Sequence, residues 1–188
     1  MTDRGLVVVL SGPSGVGKGS VHARLRETVP DSRLSVSVTT RPARAGEVDH
    51  VDYHFVDEAE FDRLVAAGQL LEHATYSGNR YGTPRAQVEG SVEQGQVVLL
   101  DIEVQGALQV RASMPDALLV FLVPPSMEEL ERRLRARGTE DDAEIARRLG
   151  HARDELVAAD EFDVQVVNRD IDECVASLTE RIAAMRGA

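Results

Sequence analysis

Three short runs in this chain are apolar at almost every position: 6–11 (LVVVLS), 96–102 (QVVLLDI) and 117–123 (ALLVFLV). Strands apolar on both faces belong at the centre of a parallel sheet with helices covering each side. A further strand is predicted over 162–167. Between these runs the hydrophobic period lengthens to that of a helix, over about 18–28 ahead of the break at Pro30, from Ser126 to about Arg137, over roughly 143–159, and through a terminal helix to about Met185. Ser126 followed by Glu129 reads as a capping box, and Asp170 with Glu173 can cap the terminal helix, whose positive end also suits Asp172. Repeated strand–helix crossovers predict an α/β fold, an open and mainly parallel sheet with helices on both faces.

The middle of the chain breaks that rhythm. Ser35-Val-Ser-Val-Thr-Thr-Arg41 alternates like a strand, then turns at Pro42 and Gly46. A short strand is expected over 51–56, a helix over 57–67 with Phe61, Leu64 and Val65 on one side, then a pair of polar strands over 70–76 and 80–84 about the turn at Gly78. A helix over 85–94 leads back towards the core. These polar strands read as a substrate-binding insertion of about fifty residues carried by the main sheet. The polar break over 138–142, between two helices, has the character of a mobile lid.

Composition narrows the picture. A chain of 188 residues builds one substantial core, and the reading is a single cooperative domain. No run approaches the length of apolar sequence needed to span a bilayer, and the segment before the first strand carries no apolar signal region, so a soluble, cytoplasmic protein without a membrane role is expected. The net charge of −11 argues against a general nucleic-acid surface, which gains its affinity by neutralising many phosphates. It leaves room for a small anion, because basic residues cluster locally at Arg41 and Arg44, at Arg132 to Arg137, and at Arg147 and Arg148. The single cysteine, Cys174, falls at helical spacing with Val175, Leu178 and Ile182 and reads as structural. The five histidines are scattered without metal-site spacing. Nothing in the exposed faces indicates a specific protein partner.

The first strand runs into Gly12-Pro13-Ser14-Gly15-Val16-Gly17-Lys18-Gly19-Ser20 and then a helix. Gly12, Gly15 and Gly17 allow tight or positive-φ backbone, the loop amides and helix end supply positive potential, and Lys18 reaches the outer phosphates of a nucleotide. Gly19 stands where Ser or Thr commonly offers a hydroxyl to magnesium, and Ser20 follows one place later. No side chain stands out as a direct magnesium ligand, so the ion is expected to be held largely by water and phosphate.

With the segment 35–47, with Asp52-Tyr53-His54-Phe55, Ser77-Gly78-Asn79-Arg80-Tyr81-Gly82 and Asp101-Ile102-Glu103-Val104-Gln105-Gly106, this loop makes the chain resemble the guanylate kinase family over nearly its whole length. The resemblance implies a P-loop nucleoside-monophosphate kinase fold and Mg²⁺-dependent transfer of a phosphoryl group from ATP to GMP, giving ADP and GDP. It divides the domain into a core with the phosphate loop (1–34), a GMP-binding insertion (35–95), core again (96–134), a lid (135–150) and a final core segment (151–188). It assigns Arg41, Arg44, Tyr53 and Tyr81 to the GMP phosphate, and Ser37, Glu72, Thr83 and Glu103 to guanine. Many relatives carry Asp where Glu103 stands. Glu72 can accept from the guanine N1 and amino donors, which adenine lacks, while Ser37 and Thr83 can donate to the acceptor edge.

On the donor side the resemblance gives the loop residues from Gly12 to Ser20, Arg133, Arg137 and Asn168 to ATP. It makes Lys18, Arg41, Arg137, Arg148 and Asp101 the catalytic groups, the lid arginines following the charge of the transferring phosphoryl and Asp101 lying near the metal, which Asp101 and Ser20 reach through water. None of these residues visibly requires a ribose 2′-hydroxyl, so dGMP is an expected second acceptor. Two other readings stay open on the residues alone: a kinase for another nucleoside monophosphate, and a non-enzymatic interaction domain of the same fold. Arg41, Arg44, Arg133, Arg137 and Arg148 taken singly are equally compatible with solvated surface charge.

Overall fold

The computed structural model describes residues 5–76, 78–136, 138 and 141–187. Its core is a five-stranded, all-parallel sheet in the order β2-β7-β1-β8-β9, formed by β1 (Leu6–Ser11), β2 (Ser32–Leu34), β7 (Val97–Asp101), β8 (Leu118–Val123) and β9 (Val164–Val167). The three apolar runs are its central strands, as their two-faced hydrophobicity requires. Alternate residues of β1 serve opposite faces. Val8 and Leu10 pack with Val21, Leu25, Leu178 and Ile182 from α1 (Lys18–Thr28) and α7 (Ile171–Arg186). Val7 and Val9 pack with Val88 of α3 (Arg85–Glu93) and Ala107 and Val110 of α4 (Val104–Ser113).

The insertion forms a second sheet in the order β4-β3-β6-β5, from β3 (Val38–Thr39), β4 (His54–Phe55), β5 (Leu70–Tyr76) and β6 (Asn79–Pro84). Antiparallel β5 and β6 form its hairpin, with α2 (Glu58–Ala66) burying Phe61 against Val38 and Leu70. The strand expected over 51–56 is shorter, with only His54 and Phe55 paired to β3. Helix α3 returns the chain to the core, where Val88 and Val92 join the central cluster.

Helices α5 (Met127–Ala136) and α6 (Asp142–Val157) pack on one another through Leu130, Leu134, Ile145, Leu149 and Ala152, a cluster separate from both faces of the main sheet. Ser126 Oγ accepts from the Glu129 amide at 3.2 Å, as the capping pattern predicts, and Asp141 caps α6 through the Glu144 amide. A 3₁₀ turn, Ala158–Glu161, leads into β9. Asp170 accepts from the Asp172 and Glu173 amides and starts α7. Among the described residues no helix is long and apolar enough to cross a membrane.

Two elements had no distinct signature in the hydrophobic pattern. Strand β2 is three residues long and lies on the sheet edge with two of them exposed, so it carries no buried alternation. Helix α4 buries only Gly106, Ala107 and Val110, small residues that leave little amphipathic contrast.

Candidate active site

The strand ends dictate where the site lies. Strand β1 leads to β2 on the far side of β7, whereas β7 leads across β1 to β8, so the connections leaving the carboxyl ends of these neighbours diverge and open a crevice, the place where parallel α/β sheets bind ligands. The loop from Gly12 to Gly17 occupies that position. Its three glycines have φ of 137°, 92° and 104°, the left-handed region that L side chains avoid. Space is short as well: a Cβ on Gly12 would stand 2.4 Å from the Leu122 carbonyl oxygen, and one on Gly15 or Gly17 would have to displace the side-chain ends of Leu134 or Asn168, 2.8 and 2.6 Å away. Gly17 is also the N-cap of α1, which has no side-chain cap and no acidic residue in its first turn. The orphan amides and positive helix end therefore face the crevice uncompensated, an arrangement that favours an anion. Lys18 Nζ donates to the Gly12 carbonyl at 2.6 Å across the loop.

The loop is braced from behind and from above. Asn168 is buried and donates from Nδ2 to the Val16 carbonyl at 2.8 Å. Arg133 donates to that same carbonyl at 3.2 Å, to the Asn168 carbonyl at 3.0 Å and to Glu129 at 2.8 Å. Arg148 donates to Ser14 Oγ at 2.9 Å and so pins α6 to the loop. Arg133 and Asn168, both expected at ATP, hold the loop's shape with these donors. Arg137 lies outside the described residues.

A cleft of about 430 Å³ runs from the phosphate loop to the insertion, and Gly12, Ser14, Lys18, Ser37, Arg41, Arg44, Tyr53, Glu72, Tyr81, Asp101 and Glu103 all line it. The volume falls within the usual range for small-molecule sites. At one side Arg41, only 9 % exposed, makes a bidentate pair with Glu47 at 3.0 and 2.8 Å and donates to the Pro42 carbonyl at 2.8 Å. Glu47 also accepts from the Arg44 amide at 2.7 Å, so one carboxylate fixes the whole Arg-Pro-Ala-Arg turn. The Arg41 guanidinium lies 5.2 Å from the centre of the Tyr53 ring, and Tyr53 meets Tyr81 edge-on at 6.1 Å. Burial raises the Tyr53 hydroxyl above its ordinary pKa, so it faces the cleft as a neutral donor.

At the deep end Glu72 is 4 % exposed, and burial pushes its carboxyl up to about 7. Thr83 Oγ1 donates to Glu72 Oε1 at 2.6 Å and opposes that rise, while the Glu103 charge adds to it. Thr83 is fully buried beneath Glu72, and its single hydroxyl proton is committed to that carboxylate in this structure. Gly106, in the first turn of α4, lets the helix meet Glu72 closely: a Cβ there would stand 2.5 Å from Glu72 Oε2. Burial also raises Glu103, the N-cap residue of α4.

Asp101 ends β7 on the face covered by α1, half-exposed into the cleft, 4.0 Å from His22 Nε2. His22 is buried with no hydrogen bond to either ring nitrogen among the described residues, and burial holds its pKa below the ordinary value, opposed by the Asp101 charge. Among the described residues no group of three or more His, Cys, Asp or Glu side chains forms a metal cage. Among the polar residues that line or support the cleft, Glu47, Tyr76, His22 and Glu155 were not singled out by the sequence pattern. Glu47 had a signal in its place six residues after Arg41 in the same turn. Glu155 had one in lying seven residues, two helical turns, beyond Arg148.

A glycine-built phosphate loop at the end of a central parallel strand, faced across a cleft by paired arginines and a buried acid, defines a P-loop enzyme that binds a nucleotide on one side and a second anionic substrate on the other. The family profile described as guanylate kinase matches residues 4–185. The chain is 60 % identical to a guanylate kinase of Thermobifida fusca (strain YX) over 178 residues, 95 % of this chain and 91 % of that one. It is 57 % identical to a guanylate kinase of Leifsonia xyli subsp. xyli (strain CTCB07) over 175 residues, 93 % of this chain and 69 % of the relative. The crystal structure of guanylate kinase from Anaplasma phagocytophilum superposes with a TM-score of 0.80 at 37 % identity, covering 98 % of this chain and 88 % of that one. The chain belongs to the guanylate kinase family, within the P-loop nucleoside-monophosphate kinases, and is a phosphotransferase.

Proposed function

We propose that this protein transfers the γ-phosphoryl group of Mg-ATP to GMP, forming ADP and GDP, and that it also accepts dGMP. The observation that carries the reading is the buried Glu72, held by Thr83 and approached by Gly106, at the deep end of a cleft whose other walls are the phosphate loop and Arg41. An ionised carboxylate there takes the two parallel donors of guanine, N1–H and the amino group. Adenine offers no such pair and would leave a buried charge unpaired, a cost large enough to exclude it. Ser37 and Thr83 face the acceptor edge of the base on this reading, Thr83 by turning its hydroxyl from Glu72.

Arg41, Arg44, Tyr53 and Tyr81 bind the GMP phosphate, with Arg41 exchanging Glu47 for the planar phosphate contact its guanidinium favours. Gly12 to Ser20 and Lys18 hold the ATP phosphates. Arg148, with Arg137, follows charge towards the group in flight. No histidine base is needed, because the attacking phosphate oxygen is already anionic and the task is alignment and screening. Magnesium, when bound, neutralises charge on the bridging phosphates. The residues fit an ion that keeps most of its waters, since Asp101 is a single half-exposed carboxylate at the strand end. Residues 35–95 act as the acceptor-binding insertion and 135–150 as the lid, which shuts water from ATP. The buried thiol of Cys174, pushed up to about 11 by burial, suits the reducing cytoplasm.

The test is a magnesium-dependent assay of ADP formation with GMP, dGMP, AMP, UMP, CMP or no acceptor, with GDP identified directly. GMP is expected to be preferred, dGMP to be used, and Lys18→Ala to lose most turnover while remaining folded. Preference for another monophosphate would overturn the base assignment, and nucleotide binding without transfer would favour an interaction domain.

A further inference from the structure

Arg148 and Glu155 are seven residues apart on α6, so they share one face of the helix about 10 Å apart along its axis. Arg148 fixes that face over the phosphate loop through Ser14. Glu155 therefore also points into the cleft, and it lines the cleft beside Lys18, Glu103 and Tyr76. Its carboxylate is half-buried, feels the Lys18 ammonium on one side and the Glu103 charge on another, and takes no hydrogen bond among the described residues. Burial raises it above the ordinary carboxylate range. A half-buried acid without a donor is costly unless a ligand supplies one.

The donors that a GMP molecule carries decide what that ligand group is. It has N1–H, the amino group and the two ribose hydroxyls. The first two belong to Glu72 and Glu103 at the deep end, and the phosphate repels a carboxylate. Glu155 lies within reach of both Glu103 and Lys18, which mark the base end and the transfer end of the cleft. The part of the acceptor that connects those ends is its sugar, and the two oxygens of a carboxylate match a vicinal diol. We infer that Glu155 accepts hydrogen bonds from the ribose hydroxyls of the acceptor nucleotide, making α6 a helix that grips both substrates. The inference rests on GMP being the acceptor.

It is tested by measuring KM for GMP, 2′-deoxy-GMP and 3′-deoxy-GMP at saturating ATP, with wild type, Glu155→Leu and Glu155→Gln, alongside KM for ATP. Losing a hydrogen bond to a charged group corresponds to a rise of about tenfold or more. Glu155→Leu should raise KM for GMP by that much, raise it by a clearly smaller factor for each deoxy analogue, which keeps only one of the two hydroxyls, and leave KM for ATP in place. Glu155→Gln keeps one acceptor oxygen and should recover part of the loss. Thermal unfolding confirms that the variants are folded, and the isosteric Gln variant carries the same three-way comparison should the Leu variant fail to fold. Equal KM changes for all three acceptors, or an effect confined to ATP, would overturn the inference. Failure of wild type to phosphorylate GMP at all would instead remove the acceptor reading beneath it.

Discussion

Glu72, the proposed guanine acceptor, shows how a carboxylate is poised for a ligand at the cost of stability. Burial pushes its carboxyl up to about 7, with the nearby Glu103 charge adding to the rise and the Thr83 hydroxyl and backbone amide only partly opposing it. Guanine donors favour the ionised form, so binding should release up to one proton below about pH 7, and KM for GMP should climb as pH falls through that value. Calorimetry of GMP binding at pH 6.5 in buffers of different ionisation enthalpy measures that proton; no buffer dependence would contradict it. Between an ordinary 4.5 and about 7 the folded protein holds a proton on Glu72 that the unfolded chain has already released, so stability contributed here declines as pH rises through that window. Glu72→Gln, which still accepts from Thr83, should raise the unfolding temperature at pH 8, removing a penalty of at most roughly 3 kcal/mol, while losing preference for GMP over AMP.

At the scale of elements, the site depends on how closely α4 can approach β5. Gly106 is buried in the first turn of α4, and the space a side chain would need belongs to Glu72 Oε2. Gly106→Ala should displace the carboxylate and raise KM for GMP about tenfold or more, the scale of one charged hydrogen bond, with KM for ATP little changed because the phosphate loop lies on another strand. Steady-state kinetics with each substrate varied in turn decides this, and parallel losses for both nucleotides would point to a general disturbance of the fold. The phosphate loop obeys the same logic, with Leu134 of α5 and Asn168 after β9 filling the space next to Gly15 and Gly17.

Across the whole molecule, α5 and α6 form a pair with an apolar cluster of its own, joined to the rest among the described residues by Leu156 at the central cluster, by Leu130 and Leu134 against Gly15, and by polar links such as Arg133 to Val16 and Arg148 to Ser14. Such a unit opens at lower free energy than the central sheet. Amide hydrogen exchange should be faster in α6 than in β1 and β7, and adding both substrates should slow α6 selectively by closing it over the cleft. Exchange in α6 as slow as that of the central strands before any nucleotide is added would show instead that the pair is part of one rigid body.

The sequence by itself determined the central parallel strands, the phosphate loop and the helix caps, because each rests on local rules: two-faced hydrophobicity, glycine where φ is positive, and a short polar side chain before a helix. It also marked Arg41, Arg44, Glu72 and Asp101, through motifs that combine several residues at fixed spacing. Only the tertiary structure decided what those residues touch. Strand β2 exists because β7 offers it an edge, and α4 because its small residues fit close to Glu72. Arg133 and Asn168 brace the loop because β9 ends beside it, and Thr83 holds Glu72 because the β5–β6 register places them opposite one another. Glu47, His22 and Glu155 stayed hidden for the same reason: a charge or ring acquires a role from neighbours distant in the chain, and burial, which sets its energy, is a property of the folded whole.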